Sequence, residues 1–451
     1  MTATTTNTTT NTDAATGKGS APLVIVSCDT HIGPRLVEDL RPYCPKNLLD
    51  EFDAYSGDLK AKREAAAANK EKLSFGGTKP GPDWGVRFAN LQTPGHFDMH
   101  ARLRDLDNDG VAAEVMFHDS QNGEPIPFDN DTLLMRDGAK APNFELLLAG
   151  RHIYNQWLAD ACSVEPERHI GLMHLPVWDM EAAIEELEWA RSAGLTGLNF
   201  PSPKPYMQPY NDPGWAPFFS ACEDLNVTLC NHGGAGASGG TYPGAMSIAK
   251  FEISMMARIC PMDQLIYGGV FARHPKLRLV TTESPGVWWQ FVLKEMDSIY
   301  LTDTNSYGPK EKERVPRLPS EYANEQVWIG SSFQARFEAE EAIEQGYVDR
   351  VIWGSDYPHF EGTYQYDAEG PNGEPMTWAS LRFTYAGLPV DDVANMLGGN
   401  AMNAYDLDYD ALTKVASRIN APTYDDLNRV KVEERPKDSG HLAFRTFGFW
   451  H

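Results

Sequence analysis

The stretch VIWGSDYPHF, residues 351–360, runs four strand-like residues, Val351 to Gly354, into a corner that holds a carboxylate, Asp356, with Pro358 and His359 close behind it. An unpaired buried carboxylate costs several kcal/mol, roughly, so a strand that ends this way needs a charged or hydrogen-bonded partner from elsewhere in the chain. Working outward, the same pattern recurs seven more times. The runs LVIVSCD (23–29), AAEVMFH (112–118), GLMHLPV (171–177), GLNF (197–200), VTLCNH (227–232), LRLVTTE (277–283) and QVWIGSS (326–332) are short and apolar, and turn residues bound them. Helix-period segments lie between them, among them NFELLLAGRHIYNQWLADAC, MEAAIEELEWARSAG and AEEAIEQGY. Gly194 closes the second of these as a helix C-terminal glycine does.

Eight near-continuous apolar strands alternating with helices predict a parallel sheet covered on both faces. The count of eight favours a closed α/β structure, a (β/α)8 TIM barrel spanning 23–408, over an open doubly wound sheet. A Thr/Asn-rich tail (1–22) reads as disordered, without the basic and apolar regions of a signal peptide. A long insertion after strand 1, about 32–110, includes the Ala/Lys/Glu helix DLKAKREAAAANKEKL and a Gly/Pro-rich stretch, and would cap the barrel mouth. Residues 409–451 form a C-terminal extension expected to pack across the body or against a second subunit of a homo-oligomer, a dimer being the simplest.

Composition narrows the partners. With 63 acidic against 39 basic residues the net charge is −24, which opposes binding to nucleic acid or an anionic membrane. No run approaches the ~18–20 apolar residues of a membrane span. The six cysteines form no C-x-x-C pair, and their spread predicts reduced thiols in a cytoplasmic protein acting on a small-molecule substrate.

In a barrel the chemistry sits at the C-terminal ends of the strands. Strand 1 ends in a D-x-H, Asp29 and His31, with both side chains on one face. Strand 5 ends on His232, strand 6 on Glu283 and strand 8 on Asp356. Two neutral imidazoles and two carboxylates suit one divalent cation, Zn²⁺ first and Mn²⁺ as the alternative, and leave a site with no net charge. Taken singly, each residue has a plainer role: a capping aspartate, a turn histidine. It is their convergence on one rim that points to a metal. Glu283 and Asp356 are the candidate catalytic groups. His118, His174, Trp178, Trp288 and His359 are candidates for the substrate pocket, although core packing explains His118, His174 and the two indoles equally well. GAGASG (234–239) matches a dinucleotide fingerprint literally, but the following GTYPG cannot open the required helix, so a loop over the mouth is the better reading.

RLRDLDNDGVAAEVMF, GGVFARHPKLRLV, WGSDYPH and GGNAMNAYDLD together resemble the amidohydrolase superfamily, in particular its amidohydrolase-2 group around aminocarboxymuconate semialdehyde decarboxylase. The resemblance covers about 23–408. It implies metal ligation by Asp29, His31, His232 and Asp356, with Asp29 standing where the decarboxylase has histidine, as in resorcylate-type decarboxylases. Many relatives carry a histidine base after strand 6, within His-Gly-Gly. Here TTESPGVWW puts Glu283 there. The expected activity is therefore a metal-dependent hydrolase of a small cyclic or aromatic carbonyl substrate, with Glu283 as base toward an activated water. The alternative is a non-oxidative decarboxylase of an aromatic or unsaturated acid, and a remote third is a non-catalytic metal-binding barrel.

Overall fold

The structure, a computed structural model, describes residues 19–68, 89–129, 143–203, 207–233, 245–302, 309–370, 372–428 and 442–448. Eight strands form one parallel sheet in sequence order: β1 (Val26–Ile32), β2 (Ala113–His118), β3 (His169–Met173), β4 (Gly197–Asn199), β5 (Thr228–His232), β6 (Leu279–Thr282), β7 (Val327–Ser332) and β8 (Val351–Gly354). The seam between β8 and β1 is closed by two backbone hydrogen bonds: Asp356 N–H donates to Asp29 O (2.8 Å) and His31 N–H to Tyr357 O (2.6 Å). The fold is the expected (β/α)8 barrel. Strand 1 runs three residues beyond Asp29, because His31 takes part in this closure.

The helices between strands follow from their sequences. Asn143 caps Phe144–Cys162 by accepting from Glu145 N and Leu146 N, and Asp179 caps Met180–Ser192 through Ala182 N. Residues 33–112, between β1 and β2, contain the helices Leu49–Ala68 and Met99–Asp109, the second capped by Asp98. The GAGASG run lies outside the described residues, as do most of the N-terminal tail and the Gly/Pro-rich part of the insertion.

Val26, Cys28, Val115, Phe117, Ile170, Leu172, Cys230, Val280 and Ile352 form one inner apolar cluster, continued by Ala401, Ala404, Tyr405, Leu412 and Ala416. The segment 400–421 thus plugs the N-terminal end of the barrel, where Thr228 Oγ1 at the start of β5 donates to Ala404 O. Residues 442–448 return to the other end. There Arg445 pairs with Glu338 at 2.7 and 2.8 Å and donates to Phe333 O just past β7. All six cysteines are buried free thiols.

Behind β1 lies a buried ion pair. Arg102 donates to both oxygens of Glu114 (2.7 Å each), to His31 O (2.7 Å) and to Thr30 Oγ1 (2.9 Å). Burial opposes the charge on Glu114, but Arg102 and His169 hold its carboxyl well below the usual range. Both charged side chains are fully buried, so removing one strands the other. Arg102→Met should therefore cost about 3–5 kcal/mol in equilibrium denaturation. A loss below about 1 kcal/mol would show that Glu114 finds another partner.

Candidate metal centre

The centre begins with an irregularity in β1. Ser27 pairs with Glu114 and Thr30 with Met116, so Cys28 and Asp29 together face Val115 alone. Strict alternation would put Asp29 on the opposite face from Cys28, which belongs to the inner cluster. The extra residue re-aims the strand, and Asp29 and His31 both face the interior at its C-terminal end. Gly354 makes room for them: a Cβ there would lie 2.8 Å from Asp29 Cβ.

Three imidazoles are each fixed by a backbone carbonyl. His31 Nδ1 donates to His118 O (3.0 Å), His232 Nδ1 to Gly233 O (2.7 Å) and His359 Nε2 to Asp119 O (2.7 Å). A carbonyl only accepts, so these nitrogens carry the hydrogen. The other nitrogen of each neutral ring then keeps a lone pair, the arrangement seen in metal-ligating histidines. His31 Nε2 stands 3.2 Å from Asp29 Oδ1 and 3.2 Å from Asp356 Oδ1, and His232 Nε2 is 3.5 Å from Asp29 Oδ1. Four ligands on ~2.1 Å bonds in a tetrahedron are separated by about 3.4 Å. His31 Nε2, His232 Nε2, Asp29 Oδ1 and both Asp356 oxygens are buried and make no hydrogen bond of good geometry. Asp29 Oδ2 takes the Ser332 hydroxyl. Orphaned atoms at ligand spacing, with two carboxylates to balance charge, fit a divalent cation.

Glu283 follows β6 with φ +52°, and Asp356 follows β8 with φ +58°. Left-handed backbone is strained for such residues and concentrates at functional sites. Glu283 Oε2 lies 3.7 Å from His232 Nδ1. Burial pushes its carboxyl up, to about 8. His232 opposes the rise, while Asp356, Asp29 and Glu361 add to it. Burial also works against the charge on Asp29 and His232, yet the two hold each other ionised: the Asp29 carboxyl is well below its usual range and His232 is raised to about 10.

The structure brings Asp29, His31, His232, Glu283, Asp356 and His359 together, with the His359 ring stacked on His31 at 3.8 Å. His118 and His174 lie to one side against Tyr154, with ring centroids 5.3 and 5.2 Å from it, and burial lowers both imidazoles. Trp178 packs on Arg151 and Phe144, and Trp288 donates to Ser284 O (2.8 Å), bracing the turn after Glu283. Two site residues escaped the sequence reading. Phe117 stands edge-on to His232 at 4.8 Å, and strand alternation next to His118 could have indicated it. Glu361 joins Glu283 and Asp356 within 4.8 Å, two residues past the histidine where the reading stopped.

Residues 97–407 match the family model described as amidohydrolase. The chain belongs to the amidohydrolase family. It is 24% identical over 314 residues to 2-amino-3-carboxymuconate-6-semialdehyde decarboxylase of Dictyostelium discoideum, covering 69% of this chain and 77% of the relative. It is also 25% identical over 231 residues to the gamma-resorcylate decarboxylase of a Rhizobium species, 45% of this chain and 64% of that one. Among solved structures, a manganese-bound 5-carboxyvanillate decarboxylase of Novosphingobium aromaticivorans shares the fold, with TM-score 0.54, 17% identity, and coverage of 87% of this chain and 99% of that one. The chain is thus a member of an enzyme family with candidate ligands for a divalent cation in place.

A cation entering this centre must displace the proton that Asp29 favours on His232. Adding Zn²⁺ or Mn²⁺ to metal-free protein at pH 7 should release protons in calorimetry run in buffers of different ionisation enthalpy. His232→Ala should abolish the tightest binding. Tight binding without proton release would place the ion elsewhere.

Proposed function

We propose that the chain is a metal-dependent, non-oxidative decarboxylase of a small aromatic or unsaturated carboxylic acid. Asp29, His31, His232 and Asp356 would hold the cation, which when bound supplies positive charge for the substrate carboxylate and a neighbouring oxygen. The decarboxylases among the relatives support this order over hydrolysis, reversing the order of preference drawn from sequence.

The observation that carries the reading is the place of Glu283, a largely buried carboxyl at the edge of the ligand cluster, 3.7 Å from His232. As CO2 leaves, the C–C electron pair stays on the substrate carbon and a proton must take the vacated position. Glu283 gives that proton and recovers it from solvent, so R–CO2⁻ plus H⁺ becomes R–H plus CO2. A neutral carboxyl also avoids repelling the substrate carboxylate, which an ionised base in the same place would do. Asp356, as a ligand, would orient the reacting end beside Glu283, with a carboxylate oxygen within 4.8 Å of one of Glu283's. Phe117, packed against His31 and His232, would offer a flat apolar wall that favours an unsaturated ring. Hydrolysis remains the second reading, because an ionised Glu283 in the same place is a base within reach of a water.

Turnover in D2O enriched in ¹⁸O water separates the two. Decarboxylation releases CO2 and leaves one deuterium on the carbon that lost it, with no ¹⁸O in the organic product. Hydrolysis puts ¹⁸O into the product and releases no CO2. Glu283→Gln should lower kcat by ~10²–10⁴-fold with metal content at the His232 site unchanged. An unchanged kcat would remove Glu283 from the chemistry.

A further inference from the structure

A cavity of about 400 Å³ opens on the flank of the barrel, between the turn that starts the helix Ala216–Asp224 and the end of the helix Met262–Tyr267. Asn211, Pro213, Ala216 and Tyr267 line it together with Arg273 and Arg314, and none of the candidate metal ligands does. Arg273 Nη1 donates to Gly268 O and Arg314 Nε to Tyr267 O, 3.1 Å each. The plainer role of both arginines is to cap a helix end, whose outward carbonyls attract cations. Capping uses one N–H of the five that each guanidinium carries. The two side chains also converge. Gly269 has φ +68°, and a Cβ there would sit 2.6 Å from Arg314 Cγ and 3.1 Å from Arg273 Nη1, so only a glycine lets both pass. Burial, and then the Arg314 charge, lower the Arg273 guanidinium from its ordinary value. Among the described residues Arg273 makes no ion pair and no carboxylate lines the cavity. Asp212, between two lining residues, is turned to the Gly214 amide at 2.7 Å. The chain has 63 acidic residues, yet these two guanidiniums share a cavity without one of them in its described wall.

We propose that this cavity binds a small anionic molecule, whose phosphate or dicarboxylate group lies between Arg273 and Arg314 and whose organic part lies against Pro213, Ala216 and the Tyr267 ring. Guanidinium forks match the oxygens of phosphate and carboxylate in pairs, and such charge-assisted bonds are roughly twice as strong as neutral ones. An anion between the two arginines removes the repulsion that each imposes on the other. The backbone carbonyls of Tyr267 and Gly268 hold the side chains in place beforehand, so little side-chain order has to be created on binding. The volume falls within the ~300–1,000 Å³ of small-molecule sites, which leaves room for more than a bare ion. The site shares no residue with the barrel mouth, so it stands apart from the metal and from the proposed reaction.

Full-length protein is titrated by calorimetry with inorganic phosphate and, separately, with malonate, at fixed ionic strength. The expected result is one saturable site per chain for at least one of the two anions, with Kd about 1 mM or tighter, and the tighter of the two identifies the group that the cavity takes. Arg273→Gln should weaken that binding by more than ~10-fold, whereas His232→Ala, which alters the barrel mouth, should leave it unchanged. If Arg273→Gln does not melt cooperatively, Arg314→Gln takes its place with the same expectation. No saturable binding of either anion, binding that the folded arginine variant leaves unchanged, or binding that disappears in His232→Ala each overturn the proposal.

Discussion

The barrel closes through the backbone of its own candidate metal-centre residues. Asp356 N–H donates to Asp29 O and His31 N–H to Tyr357 O across the seam of β8 and β1, while the side chains of Asp29, His31 and Asp356 converge on the far side of the same peptides. A one-residue slip of β8 against β1 would turn Asp356 out of the interior and break the closure together. Gly354 is part of this constraint, since any side chain there would strike Asp29. Forming the fold and assembling the candidate ligand set are therefore one event, which leaves Asp29 Oδ1 and both Asp356 oxygens buried without a hydrogen bond of good geometry.

Support for the centre comes from two directions. Below it, the Arg102–Glu114 pair grips the His31 carbonyl and the Thr30 hydroxyl, fixing the strand that carries two candidate ligands. Around it, four strands leave the barrel through left-handed residues, Asp119, Glu283, Phe333 and Asp356, none of them glycine. The packing that holds them this way sets where Glu283 and Asp356 point. A glycine at either position would relieve the strain and lose the carboxylate.

Much of this was legible in the sequence. The eight apolar runs gave the strand order, and carboxylates and imidazoles at three strand ends marked the candidate ligands, because burial and charge make such placements costly unless something pairs them. What the sequence hid depends on backbone detail. The extra residue at Cys28–Asp29 leaves no trace in the alternation of VSCDTHI. The left-handed turn after β6 is carried by a glutamate, which gives no turn signal. His118 sits next to the inward Phe117, so alternation turns it toward Tyr154 and the helix layer. Glu361 lies past the end of the β8 run, and only the return of the chain after Pro358 brings it beside Asp356.

Crystals of the protein grown with Mn²⁺ and measured at the manganese absorption edge test the central claim most directly. The account predicts a strong anomalous peak about 2.1–2.3 Å from Asp29 Oδ1, His31 Nε2, His232 Nε2 and an Asp356 oxygen. A mouth without a peak, or a peak that leaves out His31 and His232, would contradict it.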